Sequence, residues 1–277
     1  MDEANYWFDD ACARTFWDQH KSAPYQQLLD DTTKWLDPGP NQRWLDLGCG
    51  GGQLTTRLWQ VGQGALAEIV AMDCAAANEK MIEKLSAKLS PTPHPEQIRF
   101  VCRDFSHGLP LFETNSFDGV VSGLSISYAE SRDEKTGNYT DEGYNRVFAE
   151  LFRILKPGGR LVFSVSVPKP NFWRIFWKSI GSGFRMSRPG RLLVNGLKMQ
   201  AYGRWLKREA SRGRFHFLPI EDIVSRLERT GFDGIEHQLS YADQAYVVAA
   251  RKCVVWEESR SHTISEIDMV QSAPVSE

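Results

Sequence analysis

The sequence predicts an α/β fold: a doubly wound, mainly parallel seven-stranded sheet with an antiparallel C-terminal hairpin and helices on both faces. Three observations carry this. Apolar runs of strand length alternate five times with helical segments, and each right-handed parallel crossover needs a helix. A glycine turn, Gly48-Cys49-Gly50-Gly51-Gly52, joins the first strand to the first of those helices. Near the end, Ile235–Leu239 and Ala245–Arg251 are separated by a short turn at Ala242-Asp243-Gln244, as in a hairpin.

Taken in order, residues 6–36 place Phe8, Phe16, Trp17, Tyr25, Leu28, Leu29 and Trp35 at helical spacings, with Pro24 between two segments. Two helices, a cap over residues 1–40, are expected ahead of a main domain at 41–255. From Arg43 the chain reads strand, glycine turn and helix. A second strand at Leu66–Met72 ends in Asp73, followed by Cys74 and a helix through Met81 and Leu85. Residues 86–97, rich in Pro, Ser and Thr, read as a loop. Ile98–Cys102 forms the third strand and leads to Asp104-Phe105; the fourth lies within Ser116–Ser125.

Glu130–Thr140 reads as an exposed loop and Asp141–Leu155 as a helix. Lys156-Pro157-Gly158-Gly159 should end that helix, Pro by stopping it and Gly by a left-handed cap, before a strand at Arg160–Val167. Ile220–Thr230 is the last helix, capped at Gly231-Phe232, and residues 256–277 are expected to be a disordered tail.

Ligands in such sheets lie at the carboxyl ends of the strands. Gly48, Asp73, Asp104 and Ser122 all fall there. Glycines at alternate positions allow positive φ and let a ligand lie on the main chain. The dinucleotide fingerprint G-x-G-x-x-G is not met, because Gln53 takes its third glycine position and Asp46 would oppose a pyrophosphate. A nicotinamide dehydrogenase is therefore disfavoured, and a ligand with a cation near Asp46 suits the loop better. Asp73 offers two oxygens that can accept from both hydroxyls of a ribose.

The pattern Asp46-x-Gly48-x-Gly50-x-Gly52 at the end of an apolar strand resembles the first motif of the class I S-adenosylmethionine-dependent methyltransferases, in a Rossmann-like, type 11-like form. Leu109-Pro110 ahead of Phe117-Asp118-Gly119-Val120-Val121-Ser122, and the later Lys-Pro-Gly-Gly, resemble the same family. The resemblance implies S-adenosyl-L-methionine as cofactor. The turn at Gly48, Cys49, Gly50 and Gly52 would lie under its amino-acid part, with Asp73 and Cys74 at the ribose. Asp104 and Phe105 would meet the adenine, and Ser122, Gly123 and Leu124 the methionine part. Tyr25 or Trp17 of the leading helices could cover it. Asp118 reads as structural.

At 277 residues with a net charge of −2, the chain gives no global electrostatic case for nucleic acid. The five cysteines, Cys12, Cys49, Cys74, Cys102 and Cys253, are scattered without a C-x-x-C pair, so neither a metal site nor a disulfide framework is expected. No apolar run approaches membrane-spanning length and no signal peptide is visible, so a reduced, cytoplasmic protein is the default.

One segment exceeds what the fold needs. Residues 168–219 hold twelve basic residues against a single acid, Glu209, with nine aromatics interleaved. On a helix over 171–180, Arg174 and Lys178 share one stripe and apolar side chains cover most of the rest. Three readings stay open for 171–217: a lid over the acceptor, a peripheral contact with an anionic membrane, or an RNA surface. No Asp/Asn-Pro-Pro-Tyr/Phe motif follows the fourth strand, which in the resembled family argues for oxygen or carbon acceptors. The expectation is methyl transfer to a small, hydrophobic or lipid-like acceptor, with Tyr128, His107 and His216 as candidate bases. The alternative is an adenosyl-cofactor-binding protein without catalysis, associated with a membrane surface or RNA. The sequence does not name an oligomeric state.

Overall fold

The computed structural model describes residues 22–181 and 203–254. Its first element is helix α1 (Ala23–Thr33). Strand β1 (Arg43–Leu47), helix α2 (Gln53–Val61), strand β2 (Glu68–Asp73), helix α3 (Glu79–Ser86) and strands β3 (Ile98–Cys102) and β4 (Phe117–Gly123) follow. A small two-stranded hairpin, β5 (Ser131–Arg132) and β6 (Tyr139–Thr140), precedes α4 (Glu142–Ile154) and β7 (Leu155–Ser166). Helix α5 (Phe172–Gly181), α6 (Ile220–Thr230), β8 (Phe232–Ser240) and β9 (Ala245–Lys252) complete the fold, with residues 203–211 also helical.

The seven-stranded sheet has the order β3-β2-β1-β4-β7-β9-β8. β3, β2, β1, β4 and β7 are parallel, and β9 runs antiparallel to β7 and β8. The order reverses between β1 and β4, which opens a crevice at their carboxyl ends.

Alternation along β1 divides the core. Leu45 and Leu47 belong to one buried cluster with Tyr144, Val147, Phe148 and Leu151 of α4 and Ile223 and Leu227 of α6. Trp44 belongs to the cluster on the other face with Leu28 and Leu29 of α1, Leu54 and Leu58 of α2 and Ile82 of α3. The helices thus cover both faces because the strand hides apolar side chains in both directions. Gly119, the β4 partner of Trp44, leaves room for the indole: a Cβ there would lie 2.4 Å from the ring.

Several sequence expectations are corrected. Pro24 lies in the first turn of α1, where its missing N–H costs nothing, rather than between two helices. The earlier helix with Phe8, Phe16 and Trp17 and the tail at 256–277 lie outside the described residues. α4 ends at Ile154 because Leu155 is already extended (ψ 139°). Pro157 disfavours the helical conformation at Lys156, so the strand starts at once and takes in Lys-Pro-Gly-Gly, with Gly158 at φ +76° in an irregular pairing with β4. The loop expected over 130–140 contains the β5–β6 hairpin. Asp118 is structural, its oxygens accepting from the Arg43 amide at 2.8 Å and the Lys156 ammonium at 2.7 Å.

Candidate functional site

The glycine turn is held from below. The Gly48 and Cys49 amides both donate to the Met72 carbonyl, at 2.8 and 2.9 Å. Gly48, Gly50 and Gly52 have φ of +71°, +50° and +81°. Their surroundings differ. A Cβ on Gly48 would meet Ser125 at 2.3 Å and one on Gly52 would meet Ile82 at 2.6 Å, whereas Gly50 faces open space. Two of the glycines are thus required by packing, and the third has open space where a side chain would be. The first turn of α2 presents its free amides beside it.

Asp46 lies on the α2 face of β1 and is fully buried. Its Oδ2 accepts from the Thr55 hydroxyl at 2.7 Å, while Oδ1 has no partner. Burial pushes its pKa up to about 7, against the lowering effect of Thr55 and with a further push from Asp73. A cation near Oδ1 would satisfy the orphaned oxygen and favour its charged form. Tyr25 of α1 is an electrostatic neighbour of Asp46 and packs edge-on against Tyr241. Trp17 lies outside the described residues.

Asp73 closes β2. Its Oδ2 accepts from the Gly50 amide and its Oδ1 from the Ala75 amide, each at 2.9 Å. Burial raises its pKa, and these amides and the Asn78 side chain oppose the rise. The Asn78 side chain and the Cys74 amide are further donors to this carboxylate, so a ligand hydroxyl would join a site already well supplied with donors. Next to it, Cys74, Cys49 and Cys102 end adjacent strands, and the Cys102 thiol reaches the Cys74 carbonyl at 3.5 Å. Spacings of 25 and 28 residues in the sequence conceal that grouping.

Asp104 caps the turn after β3 by accepting from the Ser106 amide at 2.9 Å, with Phe105 buried beside it. His107 stands 3.7 Å from the other Asp104 oxygen and is exposed. It is therefore on the Asp104 side of the crevice. At the end of β4 the Ser122 and Ser125 hydroxyls both donate to the Leu47 carbonyl at 2.8 Å. Gly123 lets Leu54 approach, and Leu124 takes φ +55°, held by a bond from its amide to the Ser164 carbonyl at 3.0 Å.

Tyr128 follows, edge-on to Phe215 and Phe217 with ring centroids 5.1 and 6.0 Å away. Trp205, Leu206, Phe215 and Phe217 complete a third apolar cluster, separate from the two sheet faces. His216 is pinned by its amide to the Ser127 carbonyl at 2.8 Å. Its imidazole Nε2 is buried without a partner, as are the Ser127 and Tyr144 hydroxyls beside it. Burial lowers its pKa, so it is neutral at neutral pH. Sequence reasoning missed the fastening of this cluster. Arg214, almost fully buried, bonds Glu130 at 2.5 Å and the equally buried Glu209 at 3.3 Å.

Residues 45–163 match the family model described as "Methyltransferase domain". Among curated relatives, the biotin biosynthesis bifunctional protein BioHC of Cellvibrio japonicus is 28% identical over 211 residues, 76% of this chain and 36% of that protein. The demethylmenaquinone methyltransferase of Lactococcus lactis is 29% identical over 196 residues, 70% of this chain and 67% of that protein. The chain spans between 22% and 36% of the length of the first curated relatives it matches. A solved S-adenosylmethionine-dependent methyltransferase from Aquifex aeolicus shares the fold, with a TM-score of 0.53 and 12% identity over 88% of this chain and 99% of that one. The open backbone at Gly50, the orphaned Asp46 oxygen and the Asp73 carboxylate at the end of β2 suit an adenosyl ligand with a cationic tail. Residues 45–163 thus form a methyltransferase domain, set in the fold that solved S-adenosylmethionine-dependent methyltransferases share.

Proposed function

We propose that the chain transfers a methyl group from S-adenosylmethionine to a small, apolar or lipid-like acceptor at oxygen or carbon. The observation that carries this is the third apolar cluster, Tyr128, Trp205, Leu206, Phe215 and Phe217, in segments that follow the Ser122–Leu124 strand end. The relative from Lactococcus lactis, named for demethylmenaquinone, supports an acceptor of quinone type.

When bound, the cofactor supplies an electrophilic methyl group on a sulfonium. The chain's part is then orientation, worth up to about 7–11 kcal/mol in favourable cases. Gly50 and Asp73 stand on the β1–β2 side of the switch point, and Tyr128, packed on Phe215 and Phe217, follows β4 on the other side. Of the three candidate bases, Tyr128 and His216 belong to this second side, and neutral His216 keeps a free lone pair on Nε2. His107 sits with Asp104 and is the weakest of the three.

The test is incubation of the full chain with labelled S-adenosylmethionine and a cell extract, followed by organic extraction. Label in the organic phase that disappears in Asp73→Ala is expected. Label confined to protein or nucleic acid would overturn the reading.

A further inference from the structure

Helix α5 leaves the end of β7 and lies at the carboxyl-end edge of the sheet. Its placement there is specific. The Asn171 amide donates to the Gln244 side chain at 2.5 Å, Asn171 Oδ1 accepts from the Trp173 amide at 3.1 Å, and Arg174 pairs with Asp243 at 2.5 Å. Ile175 is buried in the cluster that also holds Tyr241 and Cys49, so one face of the helix is committed to the core that underlies the glycine turn.

The opposite character shows two residues earlier and two later. Trp173 and Trp177 are 49% and 64% exposed, among the largest exposed apolar side chains in the described residues. Four residues apart, they share a side of the helix. Exposed Arg174 and Lys178 adjoin them, again four apart. No acid occurs in α5. Across 168–219 the one acid is Glu209, which is buried against arginines, so the segment turns no carboxylate to solvent. Indole rings flanked by exposed Lys178 and Arg174 match a headgroup layer, where an indole settles at the boundary and anionic lipid attracts basic side chains.

We propose that α5 seats this chain on an anionic lipid surface through Trp173 and Trp177, with Lys178 as an electrostatic anchor. The inference deepens, and rests on, the reading of the acceptor as apolar: α5 and the aromatic cluster lie at the same end of the sheet, so an acceptor leaving a bilayer has a short path to the crevice.

The test is flotation of the full chain with phosphatidylcholine vesicles and with equimolar phosphatidylcholine and phosphatidylserine vesicles, alongside calorimetry with S-adenosylmethionine. Binding is expected for the phosphatidylserine vesicles, weakening with salt. The double variant Trp173→Ser/Trp177→Ser should bind at least about tenfold more weakly, and Lys178→Glu roughly fivefold or more. Leu111→Ser, at an exposed leucine in the connection before β4, should bind as the parent does. Cofactor affinity should be unchanged in all of them, which shows they are folded. Absence of vesicle binding with cofactor binding intact overturns this inference alone. Vesicle binding without any cofactor binding supports the seating and overturns the reading of the site. Tryptophan variants that float like the parent, or a chain that shifts RNA in gels and ignores vesicles, would also overturn it.

Discussion

The Gly50 amide donates to Asp73 Oδ2 at 2.9 Å, fastening the glycine turn after β1 to the acid that ends β2. The residue whose Cβ position is open thus takes its orientation from the acid that ends the next strand, and one side chain shapes the turn from outside it.

Replacing Asp73 by Asn keeps the volume and turns one acceptor into a donor that faces an amide. Hydrogen bonds to charged groups contribute about 1.5–3 kcal/mol, so S-adenosylmethionine affinity should fall by roughly tenfold or more. Calorimetric titration of Asp73→Asn measures this, and an unchanged Kd would exclude the ribose role.

Asp46 gives a pH dependence with a defined sign. Its folded pKa of about 7 lies above the ordinary 3.8. Between those values the folded state keeps a proton that the unfolded state has lost, so this group's contribution to stability declines as pH rises toward about 7 and is level above it. Asp46→Asn removes the decline. Urea unfolding should show the variant gaining on the parent from about pH 4 to about pH 7. A cationic ligand favours the carboxylate, so binding just below neutrality should release a proton in the parent and none in the variant. Titrations in two buffers of different ionisation enthalpy would detect it.

The three glycines should separate by readout. Gly50→Ala places a Cβ in open space at φ +50°, a strain of about 1–2 kcal/mol, and should cost far more in cofactor affinity than in Tm. Gly52→Ala adds a 2.6 Å clash with Ile82 and should lower Tm markedly. Equal loss of Tm in both variants would contradict the open space beside Gly50.

Arg214 lies between two carboxylates. Arg214→Met leaves the fully buried Glu209 and the half-buried Glu130 without their shared cation, and breaking a buried pair costs about 3–5 kcal/mol. Thermal unfolding should drop accordingly. Cofactor affinity should hold, because the glycine turn does not touch this cluster. An unchanged Tm would mean that the residues around Arg214 are not fastened by it.

The strands and the cofactor side were legible in the sequence because their signals are local: apolar runs, a glycine turn, an acid at each strand end. β3 and α6 fall on the expected residues. What could not be read depends on pairs far apart in the chain. Arg214 and Glu130 are 84 residues apart, and nothing in either neighbourhood marks the other. Cys49, Cys74 and Cys102 look scattered until the parallel register places their strands side by side. The extension of β7 through Pro157 was hidden by a proline that usually marks a break; here it begins an irregular strand end. The bond from the Thr55 hydroxyl to Asp46 was also not legible, because it depends on the alternation along β1 and on how α2 packs over it.

The Leu47 carbonyl receives the hydroxyls of both Ser122 and Ser125. The glycine turn and the acids Asp46, Asp73 and Asp104 lie before that junction in the chain, and the aromatic cluster of Tyr128, Trp205, Leu206, Phe215 and Phe217 lies after it. The chain is therefore written in two consecutive passages joined at one carbonyl. Ser125, which also packs against Gly48, is where a change in the second passage would reach the first.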